Sequence, residues 1–536
     1  MNLHSNNFTQ FVAARRTTII RLSIGLIIVG VFMQAAYIFA PAESLPHRPF
    51  EEDTFFHLAV CRNLASGKGL TIDGVTPTSG AQPGTLLYTL AYILAADPWS
   101  LEALRLVRAL GFVGSLLSTL AVFLCAFALL KKDKENRLPL ALLASALWTA
   151  SYQAFRINLN GYETVFATSA LLFSVAAYTW TATATNRSWG RDRIFGISLA
   201  LAVYARIDLG LWALCAALGY LLLSTRPLKQ RFASIATWGI TATLLTLPFW
   251  HHNLVVGGSV MPISGKASAF QMSFHGFWTS VGNCLVRGFN SLGEVGFLSL
   301  YLPYSINSNI GGFIIAVLGM SLIVAALISN RPVRAYLAKC VPPIVAIPIL
   351  AFACVLFGYY VMAHGSWWFM RRYVHPERAL FFTVSGVYVC SMAFLVSGYS
   401  PVQCLRRYSV VVIATLIGLV SFGQFLFTWR DTKSNQMYEV SRWININIDA
   451  TSKIGAFQSG TLGYFCANVV NLDGKNNPEA LQAMTTGSGL EFITDQSIDV
   501  VVDWPSQIAK YVDFERFCAE FEPIATVGAF TVYQRR

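Results

Sequence analysis

Long apolar runs separated by short polar loops set the pattern of this chain. The runs at 22–40, 110–130, 138–152, 165–183, 195–204, 209–224, 232–249, 312–328, 341–360, 380–396 and 410–427 predict eleven membrane crossings, since about 20 apolar residues in a helix span the hydrocarbon layer. The 195–204 run is short for that, so its helix must reach into polar flanks such as Arg206 and Asp208. One further run, 84–96, follows Pro77-Thr78-Ser79-Gly80-Ala81-Gln82-Pro83 and is expected to lie in the membrane interface without crossing. The first run follows Arg15, Arg16 and Arg21. It exceeds the roughly 7–15 apolar residues of a cleaved signal peptide, so an uncleaved anchor is expected.

Basic residues test the threading. Clusters at Arg15/Arg16/Arg21, 131–137, 187–193, 226–231, 331–339 and Arg406/Arg407 fall in alternate loops. If basic loops face the cytoplasm, the register holds only when 84–96 does not cross. The N-terminus is then inside. Glu51 to Asp53, Glu163, the loop 251–309, the segment 365–378 and the tail after Phe427 all share the outer face.

The tail has a different rhythm. Helices are predicted at 440–448 and 478–484, strands at 453–457, 468–472 and 498–502, and an edge hairpin at 524–533. Strands alternating with helices indicate a small α/β domain. The expected division is a polytopic helical membrane part, 1–429, with a first outer loop at 41–103, and an extracytoplasmic domain, 430–536.

Composition agrees. Hydrophobic residues make up 55% of the chain and charged ones only 12%, against about a quarter charged in soluble proteins; mean hydropathy is +0.52. The net charge of +12 would suggest nucleic acid in a soluble domain. Here the basic residues sit in short topological clusters, and no nucleic-acid partner is expected. No Walker loop, Gly-x-Gly-x-x-Gly or Asp-x-Asp motif occurs. The ten cysteines include no Cys-x-x-Cys pair and no zinc spacing. Cys466 and Cys518 fall in the polar tail, either as a pair in an oxidising compartment or as two thiols.

The candidate chemistry lies outside. Glu51-Glu52-Asp53 places three carboxylates just beyond the first crossing, and acids beside a membrane usually bind or activate something. A carboxylate among like charges and aromatics holds its proton more tightly, which suits a general base; Asp53 leads, with Glu52 beside it. Residues 58–70 read as an amphipathic helix capped by glycine that fixes the acids at the membrane surface. Glu163 opens a membrane helix, where the dipole stabilises an acid, so a structural role stands beside a catalytic one. Arg206 and Asp208 flank a tight hairpin, facing a cavity or each other. Arg371 and Arg372 run against the positive-inside bias and, with Lys266 and Arg206, suit a phosphate. His57, His251, His252 and Asp208 are expected to line the acceptor side or the pocket.

Glu52-Asp53-Thr54-Phe55-Phe56-His57-Leu58, with Arg62-Asn63-Leu64-Ala65 and Gly67-Lys68-Gly69, resembles the acidic first loop of integral-membrane glycosyltransferases of the GT-C fold, in their bacterial polyprenyl-phosphate-sugar-dependent branch. Gly161-Tyr162-Glu163-Thr164, Ala205-Arg206-Ile207-Asp208, Pro262 to Lys266 and Arg372-Tyr373 follow in similar order. Gly463-Tyr464-Phe465, Asn471-Leu472-Asp473-Gly474 and Asn477-Pro478-Glu479 resemble the C-terminal domains. The family often carries Asp-Asp or Asp-Glu in the first loop; here it is Glu52-Asp53, which leaves open which acid is the base.

The resemblance implies an inverting sugar transfer on the outer face of a bacterial cytoplasmic membrane. Asp53 would take the acceptor proton, and Arg371, Arg372 or Lys266 would hold the leaving lipid phosphate. The implied partners are a polyprenyl-phosphate sugar, membrane lipids and a glycan, lipid or protein acceptor; a divalent metal stays open. The rival class is a lipid or sugar transporter or flippase. It would call for an inverted repeat and charges at the bilayer midplane, and neither is clear in the sequence. A third reading, a non-catalytic scaffold around the tail domain, leaves the first-loop acids without a task.

Overall fold

The computed structural model describes residues 2–47, 49–273, 277–293, 331–364, 370–399, 403–430 and 435–536. Among them, six helices are long and apolar enough to cross a membrane: Arg16–Ile38, Leu101–Leu129, Thr164–Ala182, Leu228–Gly257, Pro343–Met362 and Arg407–Trp429. A seventh span is broken, with His375–Phe382 and Ser385–Ser397 meeting at 51°. At that break the hydroxyls of Thr383 and Ser385 donate to the Leu380 and Phe382 carbonyls, at 2.6 and 2.7 Å, so the interrupted helix keeps its acceptors satisfied. The helices Arg137–Ala150, Trp189–Ala205 and Gly210–Leu223 account for the shorter runs. The run at 312–328 lies outside the described residues. Leu214, Leu218 and Leu222 recur every fourth position and are exposed on the bare chain, as a lipid-facing stripe should be.

The basic loops gather at one end. Asn136 Nδ2 donates to the Thr9 carbonyl at 3.2 Å, Lys131 Nζ to Thr183 Oγ1 at 2.8 Å, and Arg226 Nη2 to the Ala184 carbonyl at 2.7 Å. At the other end, the 84–96 run leaves and returns on the same side. Asn63 Nδ2 donates to the Thr71 and Ile72 carbonyls before the run, at 3.0 and 2.8 Å. After it, the Arg62 guanidinium lies 3.5 Å from the centre of the Trp99 ring. Between them, Pro83–Leu94 buries Tyr88, Ala91 and Tyr92 and exposes Leu87, Leu90, Ile93 and Leu94.

The tail folds on a five-stranded sheet of β1 (Ile454–Ala456), β2 (Val469–Asn471), β3 (Val500–Asp503), β4 (Phe521–Val527) and β5 (Phe530–Arg535), in the order β2-β1-β3-β5-β4. β1 pairs parallel with β2 and β3, while β5 runs antiparallel to β3 and β4. The hairpin thus sits at the edge, where its alternating pattern put it. One face packs Phe457, Ile498, Val501 and Phe517, and the other Val440, Ile454, Val500 and Val532. Cys466 and Cys518 are both free thiols.

The tail docks on the helix Glu52–Ala65 through the helix Gly460–Phe465. Arg62 Nη1 donates to the Tyr464 carbonyl at 2.7 Å, and the Tyr92 and Tyr464 hydroxyls meet at 3.0 Å. The carbonyl bond and the aromatic rings replace part of the water this buried guanidinium loses. The tail and the first-loop acids therefore share one end of the molecule, opposite the basic loops.

Candidate active site

Glu51 opens the helix Glu52–Ala65 with extended backbone, and its N–H donates to Thr54 Oγ1 at 3.2 Å in a capping box. Thr54 Oγ1 in turn donates to the Asn160 carbonyl at 2.8 Å, which ties the start of this helix to the loop before Thr164–Ala182. Gly161 follows with φ +78, and a Cβ there would lie 2.7 Å from Thr54 Cγ2; glycine is what lets the two turns touch. Glu163, two residues on, is thereby delivered to the same place as Asp53.

Successive residues on a helix point about 100° apart, and this separates the two acids. Glu52 faces the tail domain, where its carboxylate accepts the Thr461 backbone N–H at 3.0 Å and the Thr461 hydroxyl. Burial pushes its pKa up to about 7, and the Thr461 bonds offset only part of that. Asp53 instead faces a cleft of about 100 Å³ that opens to solvent.

That cleft brings together Asp53, His57, Glu163, Arg206, Asp208 and Arg372. Glu163 is 1% exposed; its Oε1 lies 3.9 Å from Arg372 Nε, and its Oε2 takes no hydrogen bond from the described residues. The Arg372 guanidinium lies 4.2 Å from the centre of the Tyr162 ring. Burial opposes its charge, and Glu163 leads the groups that restore it, above the ordinary arginine value. His57 packs edge-on against Tyr162 at 5.9 Å; burial, only partly opposed by Glu163, lowers its pKa to about 4, so it is a neutral imidazole at pH 7.

Arg206 and Asp208 pair with each other in bidentate fashion, with Nε to Oδ1 at 2.8 Å, and Tyr360 donates to Asp208 Oδ2 at 2.6 Å. Arg206 also donates to the carbonyls of Arg372 and Tyr373, at 3.1 and 3.0 Å. Tyr360 stacks on Tyr373 with ring centres 4.2 Å apart. The hairpin charges both line the cleft and fix the backbone that carries Arg372.

The other residues singled out by sequence lie elsewhere. Arg371 does not line the cleft. Lys266 is exposed, with Nζ 3.4 Å from the Gly257 carbonyl. His251 is exposed, and His252 Nε2 lies 3.1 Å from the Thr78 carbonyl. Among the described residues no group of three or more His, Cys, Asp or Glu side chains is placed to hold a metal ion.

Sequence reasoning passed over Lys475 and Asn476, which line the cleft from the tail domain. Lys475 Nζ lies 3.5 Å from Asp53 Oδ1 and 3.5 Å from Asp473 Oδ2. Burial lowers the pKa of the ammonium, but the two carboxylates outweigh that effect and raise it above the ordinary lysine value. Burial raises the pKa of Asp473 too, with Lys475 opposing. The partner of Lys475, Asp53, lies 422 residues away, so no local pattern in the sequence marks it.

The whole architecture has known counterparts. ArnT from Cupriavidus metallidurans, in a crystal structure bound to undecaprenyl phosphate, superposes with a TM-score of 0.58 at 13% identity, over 95% of this chain and 98% of ArnT. The apo oligosaccharyltransferase of Archaeoglobus fulgidus gives 0.57 at 13% identity, over 90% and 70%. AglB from the same archaeon, in complex with an inhibitory peptide and a dolichol-phosphate, gives 0.53 at 13% identity, over 96% and 74%. These are GT-C fold membrane glycosyltransferases. The chain has the GT-C fold. At such identity what the GT-C proteins share with it is architecture, so its chemistry has to be argued from its own residues. Residues 428–534 match the family model described as Domain of unknown function (DUF8728). No curated protein matches the sequence.

Proposed function

We propose that this multi-pass membrane protein is a glycosyltransferase that moves a hexosyl or pentosyl group from a polyprenyl-phosphate-linked donor to a glycan, lipid or protein acceptor. The reaction runs on the outer face of a bacterial cytoplasmic membrane. The observation that carries the reading is the meeting of Asp53, Glu163 and Arg372 in one cleft at the membrane-helix ends. A carboxylate base and a guanidinium facing the leaving group suit inverting transfer from a lipid phosphate.

In the proposed step, Asp53 accepts the proton of the acceptor hydroxyl as its oxygen bonds to the anomeric carbon. The bond from that carbon to the phosphate oxygen breaks, and the lipid phosphate leaves with the electron pair. Arg372 faces the charge that develops on that oxygen. Because Arg206 holds the Arg372 and Tyr373 carbonyls and Tyr360 stacks on Tyr373, the guanidinium reorganises little during reaction, which is the source of electrostatic catalysis. Glu163 Oε2 is available to accept a sugar or acceptor hydroxyl. Neutral His57 adds no charge to the cleft. The exposed apolar face of Pro83–Leu94, beside the first-loop helix, suits a long prenyl tail arriving from the bilayer.

Native mass spectrometry of the full chain, purified in mild detergent from its own membrane, tests the class. A bound prenyl lipid carrying a phosphate-linked sugar is expected. If only bulk phospholipid accompanies the chain, even after incubation with a polyprenyl-phosphate sugar, the proposal fails.

A further inference from the structure

Beside its charged residues the cleft has a stretch of wall that is polar and neutral, made by Ser264, Gly265 and Ser268 of the helix Ile263–Ser273 together with Gln82 and Asn476. The packing of that helix explains why its serines face inward. Ile263, Ala267 and Phe270 form an apolar stripe against Leu481 of the tail domain, and Gln271 Nε2 donates to the Tyr511 hydroxyl at 2.8 Å. With that stripe held by the tail, Ser264 and Ser268, four residues apart, turn to the cleft together.

These side chains carry polar atoms that the protein leaves unmatched. Gln82 precedes the turn Pro83–Tyr88 without capping it; its Oε1 is buried and takes no hydrogen bond from the described residues. Asn476 is 8% exposed, and only its backbone N–H is engaged, with Asn471 Oδ1 at 3.4 Å. Among the described residues neither serine hydroxyl bonds back to its helix, as the Thr246 hydroxyl does to the Ala242 carbonyl at 2.9 Å. Buried polar groups are normally paired, so unpaired hydroxyls and carboxamides around a cleft suit a ligand rich in hydroxyls.

We propose that this neutral wall is the subsite for the transferred sugar, and that the sugar is an uncharged, hydroxyl-bearing ring. This rests on the glycosyltransferase reading above. Hydroxyls and carboxamides each offer donor and acceptor atoms, as sugar hydroxyls do, so the two sets match in pairs. None of these residues is charged. An ammonium or carboxylate on the sugar would lose water against them and gain no counter-charge from them. With the phosphate facing Arg372 and the acceptor hydroxyl at Asp53, the ring between is the part left for the neutral wall to recognise.

The test uses the full-length protein in nanodiscs and two ligands: polyprenyl-phosphate sugar extracted from its own membrane, and sugar-free undecaprenyl phosphate. The variants are the pair Ser264→Ala with Ser268→Ala, Gln82→Met, and Gly265→Leu. The last is chosen because a Cβ at Gly265 meets no atom within 4 Å, so a larger side chain there fills the cleft without straining the protein. The serine pair and Gln82→Met are each expected to weaken the sugar-bearing lipid about three- to tenfold, the scale of a lost neutral hydrogen bond. Gly265→Leu should weaken it further, while undecaprenyl phosphate binds every variant as it binds wild type. Mild acid hydrolysis of the bound donor should release an uncharged sugar. Wild-type affinity for the sugar-bearing lipid in all three variants would overturn the subsite and leave the enzyme reading standing. Equal losses of both lipids would overturn it too, marking these residues as structural. An amino sugar or uronic acid in the donor would overturn the neutral class. If wild type binds neither lipid, the glycosyltransferase reading falls together with the inference.

Discussion

The Glu52 carboxylate accepts both the backbone N–H and the hydroxyl of Thr461, 409 residues further along the chain. This pair joins the helix Glu52–Ala65 to the tail domain in a buried seam. Its pH behaviour follows from the sign of its shift. The folded pKa is about 7 against an ordinary 4.5, so the folded state binds this proton more tightly than the unfolded one. The stabilisation is complete below about pH 4.5 and is lost as pH rises through about 7. Glu52→Gln removes the titration, keeps the acceptor, and should flatten the profile. Thermal midpoints at pH 5 and pH 8 check it: wild type should lose on the order of 2 kcal/mol relative to the variant. Parallel profiles would show that Glu52 carries its charge into the seam at no cost.

Glu163→Gln should lower turnover while preserving the fold, because Glu163 Oε2 is buried and takes no hydrogen bond from the described residues. A loss of about 1.5–3 kcal/mol, or roughly 10- to 150-fold in kcat/KM, fits one charged contact to substrate. A variant as active as wild type would leave Glu163 as a helix-terminal charge and nothing more.

Gly474 has φ +76, and a Cβ there would lie 2.6 Å from Leu481 Cα. Gly474→Ala is expected to cost about 1–3 kcal/mol of local strain and to displace Lys475. Donor binding should fall while far-ultraviolet circular dichroism stays unchanged. Wild-type donor affinity in Gly474→Ala would show that the turn tolerates movement without consequence for the cleft.

How far the sequence could be read follows from these same residues. The helices were legible because apolar runs report lipid contact directly, though the helices Leu101–Leu129 and Leu228–Gly257 extend well past their runs and the run at 380–396 is broken. The tail strands came out within a few residues because their patterning is local. The cleft was legible only in outline. Glu52 and Asp53 are neighbours of the same chemistry, and which of them meets the cleft depends on which helix face the tail domain covers. Arg371 and Arg372 differ in the same way, since only the second has its carbonyl held by Arg206. Lys475 was hidden because its partner is distant in sequence and the turn carrying it reads as an ordinary Asp-Gly turn.

Topology is open to labelling in intact cells. The run Pro83–Leu94 begins and ends beside the helix Glu52–Ala65, so cysteines at the exposed positions Val75 and Asp97 should both react with a membrane-impermeant maleimide. A cysteine at exposed Lys134, at the basic end, should be protected. Labelling of Val75→Cys and Asp97→Cys from opposite sides would put a crossing between them.

Asp53→Asn keeps the size and polarity of the side chain and removes the proton acceptor. The decisive measurement is the rate at which the reconstituted full chain converts polyprenyl-phosphate sugar, extracted from its own membrane, to sugar-free polyprenyl phosphate in the presence of that membrane's acceptors. Wild type is expected to turn the donor over, and Asp53→Asn to bind it with similar affinity but react about 10²–10⁴-fold more slowly, the range of general-base catalysis. Turnover by Asp53→Asn at the wild-type rate would contradict the assignment of Asp53 as the base.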